Sequence, residues 1–443
     1  MGAVTTEQQK LVLNSFAMVL QNNLVTGDAV TWNEYDGEMD DRNGLQVIEQ
    51  ITPRYNVTRT ENGVKDLSAG TDGTVFGSEL FQVTGTFNAN MGWGDFVKIK
   101  SIGDARESQA LLGAATSMAS KIDAYVLQIA TLASNNWTGA DGILPIAAWL
   151  DAAAGYTRMM EEGVDENDLS YIFNYTDEMK LGDQIIKLPA PDNFSTTTYR
   201  KGFSGELNGV RTMFTNQLPV LTVGTRAASA AALVDNATFG GVQNVNYSAV
   251  AKAGTTNGLH LTQTIVLRTA GNALTVKAGE VLTFAGVNAF DNRKQAAVSP
   301  ARLQQFTVCA DAVSSAGGAL TLTIFPAMIV PGSGVGDDVN INTAHATVTA
   351  APVDGAAVTY LGAASAVLSP RLLIQKQAIV VNTVPLILPA SDTSMRRKLT
   401  KIPLTVRMWQ HSDFYTGAHG VRFDVALNAN IRERRRIARV NGS

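Results

Sequence analysis

Cysteine is nearly absent from this chain: Cys309 stands alone among 443 residues. One thiol forms no intrachain disulfide and no cysteine-based metal site, so packing and hydrogen bonds have to hold the fold. Its setting, Gln305-Phe306-Thr307-Val308-Cys309-Ala310, reads as a strand and makes it a buried small hydrophobe rather than a nucleophile. The chain fits a reducing compartment, where sequons such as Asn56-Val57-Thr58 carry no message. Histidine is scarce as well, and His260, His345, His411 and His419 are the four. They form no HExxH pair, no Gly-x-Ser-x-Gly elbow accompanies them, and the spacing of His411 and His419 fits no standard ligand pair. No apolar run approaches the ~18 residues of a membrane helix. Met1-Gly2-Ala3-Val4-Thr5 lacks the regions of a signal peptide and is a poor myristoylation match. No catalytic, cofactor or metal site is therefore expected, and no membrane.

What is present is 45% apolar and 17% charged residues, the balance of a globular protein, at a length that allows about three domains. Charge thins abruptly part-way along. Residues 223–345 carry 13 charged side chains among 123, against 61 in the other 320. This stretch reads as short β-runs between Gly-rich turns, such as Val281-Leu282-Thr283-Phe284-Ala285-Gly286-Val287 after Lys277-Ala278-Gly279-Glu280. Helical and mixed α/β texture flanks it, which predicts one domain inserted into another. Within it, residues 239–258 are rich in turn formers and predict a surface loop. The net charge of −4 is uneven too: residues 396–443 carry +8 and residues 1–50 carry −6. Such asymmetry marks a nucleic-acid face or surfaces that meet each other in an assembly.

Along the chain, Leu11, Leu13, Phe16, Val19 and Leu20 predict an amphipathic helix over 7–24. An acidic loop with Glu34, Asp36, Glu38, Asp40 and Asp41 follows, without the spacing of a calcium loop. Residues 51–92 predict a long hairpin with Tyr55, Val57 and Arg59 on its first strand. Its second strand puts Phe81, Val83, Phe87, Ala89 and Met91 on one face, and Ser68–Thr74 form a Gly-rich tip. Such a ribbon is marginal alone and needs another surface, a neighbour or the body of its own domain. Asp104 and Glu107 read as a capping box for a helix whose stripe runs Leu111, Ala115, Met118, Ile122, Tyr125, Ile129 and Leu132. A second helix is predicted to open at Pro145 and close near Gly163. Tyr171-Ile172-Phe173 reads as a buried strand, and Thr176 as the cap of the next helix. Gly332-Ser333-Gly334-Val335-Gly336-Asp337 lacks the Lys-Ser/Thr pair of a phosphate loop, and no helix is predicted after it. The run Arg432–Arg439 carries no interleaved aromatics, so a base-reading role is unsupported.

This order of parts resembles the tailed-bacteriophage major capsid (coat) proteins of the Hong Kong 97 fold. It is most similar to the short-tailed Salmonella-type phage coat proteins, which carry an inserted β-barrel domain. Met91-Gly92, Leu218-Pro219-Val220-Leu221-Thr222 and Val281–Val287 look like segments of that family, and the likeness covers nearly the whole chain. It implies an α+β fold with an N-terminal arm (1–50), an extended hairpin loop (51–92) and a peripheral domain (93–144 and 396–443) containing a spine helix (104–134). The axial domain would span 145–222 and 346–395, and the inserted β-barrel domain 223–345. The basic C-terminal segment departs from the family's pattern.

The resemblance implies a structural protein, not an enzyme, that assembles in the host bacterial cytoplasm into the icosahedral capsid of a virion enclosing double-stranded DNA. Its partners would be copies of itself in hexamers and pentamers, scaffolding protein and portal, with packaged DNA met only non-specifically. Phe81, Val83 and Phe87, with Arg434, Arg435 and Arg436, are the candidate inter-subunit residues. Leu13, Phe16 and Leu20 are the candidate scaffolding contacts. The alternative is a tail or fibre component whose β-rich domain binds a host glycan; it predicts trimer-forming repeats, and the sequence has none.

Overall fold

The computed structural model describes residues 6–35, 46–57, 59, 75–92, 108–139, 143–146, 148–186, 206–207, 209–226, 232–251, 260–269, 271–291, 294–388, 393–412 and 419–442. They divide into two compact units, each assembled from separated stretches of chain. One takes Met1–Val47, Phe81–Ile129 and Ile379–Arg432, the other Ile48–Leu80, Ala130–Ala378 and Glu433–Ser443.

The first unit is built on a six-stranded sheet. Its strands run in the order Thr31–Glu34, Ile379–Val384, His419–Ile431, Thr405–Ser412, Thr393–Lys398, and Thr86–Gly92 also pairs with the long strand His419–Ile431. Helix α1 (Thr6–Asn23) turns Val12, Leu13, Phe16, Ala17 and Leu20 inward. Phe16 stacks on Phe423 of the sheet, with ring centroids 4.0 Å apart. The short helix α2 (Thr26–Ala29) has no cap of its own, and its free N–H groups find a remote acceptor. Asp123 accepts from the Val25 and Thr26 backbones at 3.0 Å and from the Thr26 hydroxyl at 2.6 Å. Burial pushes the Asp123 carboxyl above its ordinary pKa despite these bonds.

Asp123 belongs to α3 (Gln109–Ala133), the predicted spine, 25 residues and so roughly 37 Å long. Leu111, Ala115, Met118 and Ile122 are buried, as their spacing requires. The helix opens at Ser108, whose hydroxyl accepts the Leu111 N–H at 3.4 Å. The expected capping pair Asp104 and Glu107 lies outside the described residues, as does the expected Gly-rich tip Ser68–Thr74.

The second unit contains two six-stranded sheets. The first runs Asn136–Thr138, Ile437–Val440, Arg371–Gln375, Leu169–Phe173, Val210–Phe214, Glu206–Leu207. Helices α4 (Trp149–Glu161) and α5 (Tyr175–Ile186) contribute Met159 and Leu181 to a core with Tyr171, Phe173, Leu373 and Val440. Pro145 does not open α4. It sits in a loop held by the Ile146 N–H donating to Asp177 at 2.9 Å, while the Ala148 N–H donates to Asp151 at 3.1 Å as the helix starts. Asp177, not Thr176, governs the start of α5, accepting the Asn174 N–H at 3.0 Å and pairing with buried Arg371 at 2.8 Å.

The second sheet of this unit runs Ala232–Val234, Gln263–Thr269, Ala319–Phe325, Leu303–Val308, Val281–Asn288, Val358–Tyr360. A bridge between Leu233 and Ala357 joins its two ends, so the strands close on themselves around Phe284, Phe306, Leu322 and Ile324. The last strand, Val358–Tyr360, lies beyond the charge-poor residues 223–345. The incoming and outgoing chain run side by side where Leu221–Thr222 pairs with Val367–Leu368. Three short helices decorate the sheet, α6 (Asn236–Phe239), α7 (Tyr247–Val250) and α8 (Asp338–Ala344). Two expectations are corrected here. Residues 239–251 are not a plain surface loop, because Tyr247 and Ala251 are buried with Phe325 and Ile341; 252–259 lie outside the described residues. And α8 follows the Gly-rich loop 332–337 directly.

Candidate assembly surfaces

The predicted contact residues are mostly occupied within the chain itself. The alternation from Phe81 to Met91 is split between two strands, Gly77–Gln82 and Thr86–Gly92. Phe81 and Val83 are buried with Val384, Ala426 and Tyr35. Phe87 is half-buried and meets Tyr125 of α3 edge-on, 5.6 Å between centroids. Leu13, Phe16 and Leu20, the candidate scaffolding contacts, all face the chain's own interior.

The basic run is similarly drawn inward. Arg434 is 7% exposed and lies over the Phe325 ring at 5.5 Å. Arg436 pairs with Glu433 at 2.6 Å and donates to Gln375 at 2.9 Å, while Arg435 stands 3.8 Å from the same carboxylate. Burial pushes the Glu433 carboxyl up, but Arg435, Arg436 and Arg54 outweigh it and hold the group below its ordinary range. Arg439 is fully buried and donates to the Thr131 and Ser134 carbonyls at 2.6 and 3.2 Å, where α3 ends; burial lowers its pKa to about 9. Of the acidic stretch, Glu34 bonds to Lys398 and to the Thr405 hydroxyl, and 36–45 lie outside the described residues.

What the chain does leave open is elsewhere. On the stretches that flank the hairpin tip, Ile48, Tyr55, Val57 and Phe76 are exposed, Val57 by 82%. The predicted first strand lies earlier than expected, at Gln46–Ile51, paired with Gly77–Gln82, so Tyr55 and Val57 stand beyond it. A second open feature is a cavity of about 500 Å³ along the outer side of α1, lined by Leu11, Met18, Val19 and Leu112 and edged by Glu7 and Lys10. Leu11 and Val19 carry the same apolar signal in the sequence as Leu13 and Phe16. Only the position of the sheet decides which of them is covered.

The junction of the closed sheet is built from charge. Arg226 and Glu280 pair at 2.6 Å with side chains 3% exposed. Glu280 also accepts the Gly224 N–H at 2.8 Å and the Lys277 N–H at 2.7 Å. The Arg226 guanidinium lies 4.8 Å over the Tyr360 ring and donates to the Leu361 and Gly362 carbonyls. Incoming chain, outgoing chain and one turn of the sheet thus meet on a single ion pair. Gly224 is required there, since a Cβ would overlap the Thr275 carbonyl.

Catalytic geometry does not emerge. Among the described residues no group of His, Cys, Asp and Glu side chains is placed to hold a metal ion. Cys309 is half-buried and burial raises its thiol pKa, the opposite of an activated nucleophile. No helix among the described residues is long and apolar enough to cross a membrane.

Comparison with solved structures finds capsids at low identity. The capsid of cyanophage P-SCSP1u matches at 11% identity and a TM-score of 0.40, over 95% of this chain and 88% of that one. The mature capsid of bacteriophage PhiM1 matches at 10% and 0.38, over 95% and 87%. Mycobacterium phage Che8 matches at 10% and 0.37, over 90% and 85%. No curated protein matches the chain. The family model described as "P22 coat protein - gene protein 5" matches residues 1–435, nearly the whole sequence. The chain belongs to the P22 coat protein family and is a major capsid protein, a building block of a phage shell.

Proposed function

We propose that copies of this chain assemble as hexamers and pentamers into a closed icosahedral shell around the double-stranded DNA of a tailed phage. The observation that carries this reading is the family match over residues 1–435. Supporting it, Ile48, Tyr55, Val57 and Phe76 form an apolar set that the described part of the chain leaves uncovered, and a neighbouring copy is the natural cover. In this reading the stretch 51–92 is the extended loop and α3 the spine of the peripheral domain. The sheet of Leu169–Phe173 is the axial domain, and the closed sheet, from 223 to about 366, is the inserted domain. Scaffolding protein, the assembly partner implied by the family resemblance, would meet α1 on its open side at Leu11, Met18 and Val19 rather than at Leu13, Phe16 and Leu20. The basic segment 432–439, largely engaged inside the chain, fits a structural role better than a DNA-binding one. Assembly takes place in the host cytoplasm, with a portal at one vertex, and needs no catalysis. Electron microscopy of the purified protein, alone and with scaffolding protein, tests the proposal. Closed shells of uniform diameter are expected; discrete trimers or rods would overturn it.

A further inference from the structure

Residues 48–57 and 75–82 meet the β-rich block around His260 and His345, and Gln295 also donates to the Tyr55 carbonyl at 3.4 Å. On the outgoing side the Arg54 N–H donates to His345 Nε2 at 3.2 Å. On the returning side the Ser78 N–H donates to the Ala251 carbonyl at 2.9 Å. Gly77 lies against His260, and a Cβ at that glycine would come within 2.7 Å of the ring. The same Ala251 carbonyl takes a second bond from His260 Nδ1 at 3.2 Å. The His345 ring stacks flat on Tyr247, with centroids 3.5 Å apart and planes 8° off parallel. Two histidines, one tyrosine and one carbonyl therefore form the platform for both strands.

We propose that this platform is an acid-released clamp, which holds the base of the extended loop while the His345 imidazole is neutral and lets it go when that ring is protonated. The hydrogen bonds require the neutral forms to be arranged in one way. Because a carbonyl only accepts, His260 carries its proton on Nδ1; because Arg54 N–H only donates, His345 Nε2 is a bare lone pair. Protonating His345 would set one N–H against another and remove the Arg54 bond. The charged neighbours add to this. Arg54 faces the rings from the loop base, and Arg435 and Glu433 from the C-terminal turn. Asp338, at the start of α8, is engaged by Ser248 at 2.9 Å and Asn246 at 3.2 Å.

Burial first, then the cations of Arg54, Arg435 and His260, lower the His345 pKa to about 3. Burial lowers His260 to about 4, with its bond to Ala251 opposing and Arg435 assisting. The His345 value lies below the ordinary 6.5, so the clamp is at full strength above pH 6.5 and weakens as pH falls below it.

Hydrogen–deuterium exchange on the full-length monomer, followed from about pH 7.5 to about pH 4 and corrected for intrinsic rates, tests the clamp. Opening of peptides covering 48–57 and 75–82 should rise by up to about tenfold per pH unit below the ordinary histidine value, while the strand 263–269 stays protected. His345→Gln, whose amide oxygen accepts the Arg54 N–H without titrating, should keep the loop base closed in acid. Unchanged protection of the wild type down to about pH 4, or release of His345→Gln at the wild-type pH, would overturn the proposal. Should that variant not fold, NMR titration of the wild-type histidine Cε1 signals decides. A His345 midpoint near the ordinary 6.5, or one unrelated to loop opening, sinks the idea.

Discussion

The closed sheet of the β-rich block and the two-stranded ribbon of Gln46–Ile51 and Gly77–Gln82 are both β-structure, yet they treat their edges in opposite ways. The sheet joins its first and last strands through Leu233 and Ala357 and fills the enclosed space with Phe284, Phe306 and Ile324. Its first and last strands are thereby not left as free edges along that bridge. The ribbon Gln46–Ile51 with Gly77–Gln82 has two strands, and Ile48 on it and Tyr55, Val57 and Phe76 beside it are exposed. One region is closed by its own chain, while the other leaves apolar side chains uncovered among the described residues. A coat protein needs both, because a shell made only of finished parts would have no reason to cohere.

The comparison breaks most severely at the sheet's centre. Phe306→Ala empties a fully buried aromatic site and is expected to cost about 3–5 kcal/mol, read from denaturant unfolding of the full chain. Arg226→Met leaves Glu280 buried and unpaired at the junction, with a similar loss of about 3–5 kcal/mol. The double change Arg226→Met with Glu280→Leu should recover most of that loss. A single variant as stable as the double would mean that the ion pair does not lock the junction. On the exposed stretch, Val57→Asp should move the monomer's stability by no more than about 0.5 kcal/mol while sharply reducing shells counted in micrographs. Shells at the wild-type yield would remove the main contrast drawn between the two regions. The smallest effect is expected at Lys277 and Asp311, an exposed pair 2.7 Å apart, where Lys277→Ala should cost ~0.2–1 kcal/mol and less at high salt.

The sequence signals the β-texture of this block but not how its sheet closes, for a physical reason. Charge thins at 223 because the strands that follow are buried on one side, and thinning needs only local composition. The outgoing end is set by Val358–Tyr360 closing a ring with Ala232–Val234, a pairing between segments more than a hundred residues apart. Periodicity likewise gave α1, α3 and the strand at Tyr171, because each buries a stripe whose spacing is its own. It could not say which apolar residues of α1 meet the sheet, so Leu13 and Phe16 stood beside Leu11 and Val19 as equals. The arginines misled most. A run of cations reads as surface, yet Arg439 is buried where the last carbonyls of α3 accept from it, and Arg434 over an aromatic ring. Those acceptors lie about three hundred residues away in sequence, beyond any local pattern.

The strand Ile437–Val440 has a consequence for how the chain is made. It lies inside its sheet, between Asn136–Thr138 and Arg371–Gln375, and every other strand of that sheet is translated before it. Until it emerges from the ribosome, both neighbours expose an unpaired row of backbone groups. At about 5–20 residues per second, the nascent chain spends several seconds with residues 371–375 made and their partner still missing. A transcript cut short, or a ribosome stalled, before residue 437 therefore yields a product with an open slot in its middle.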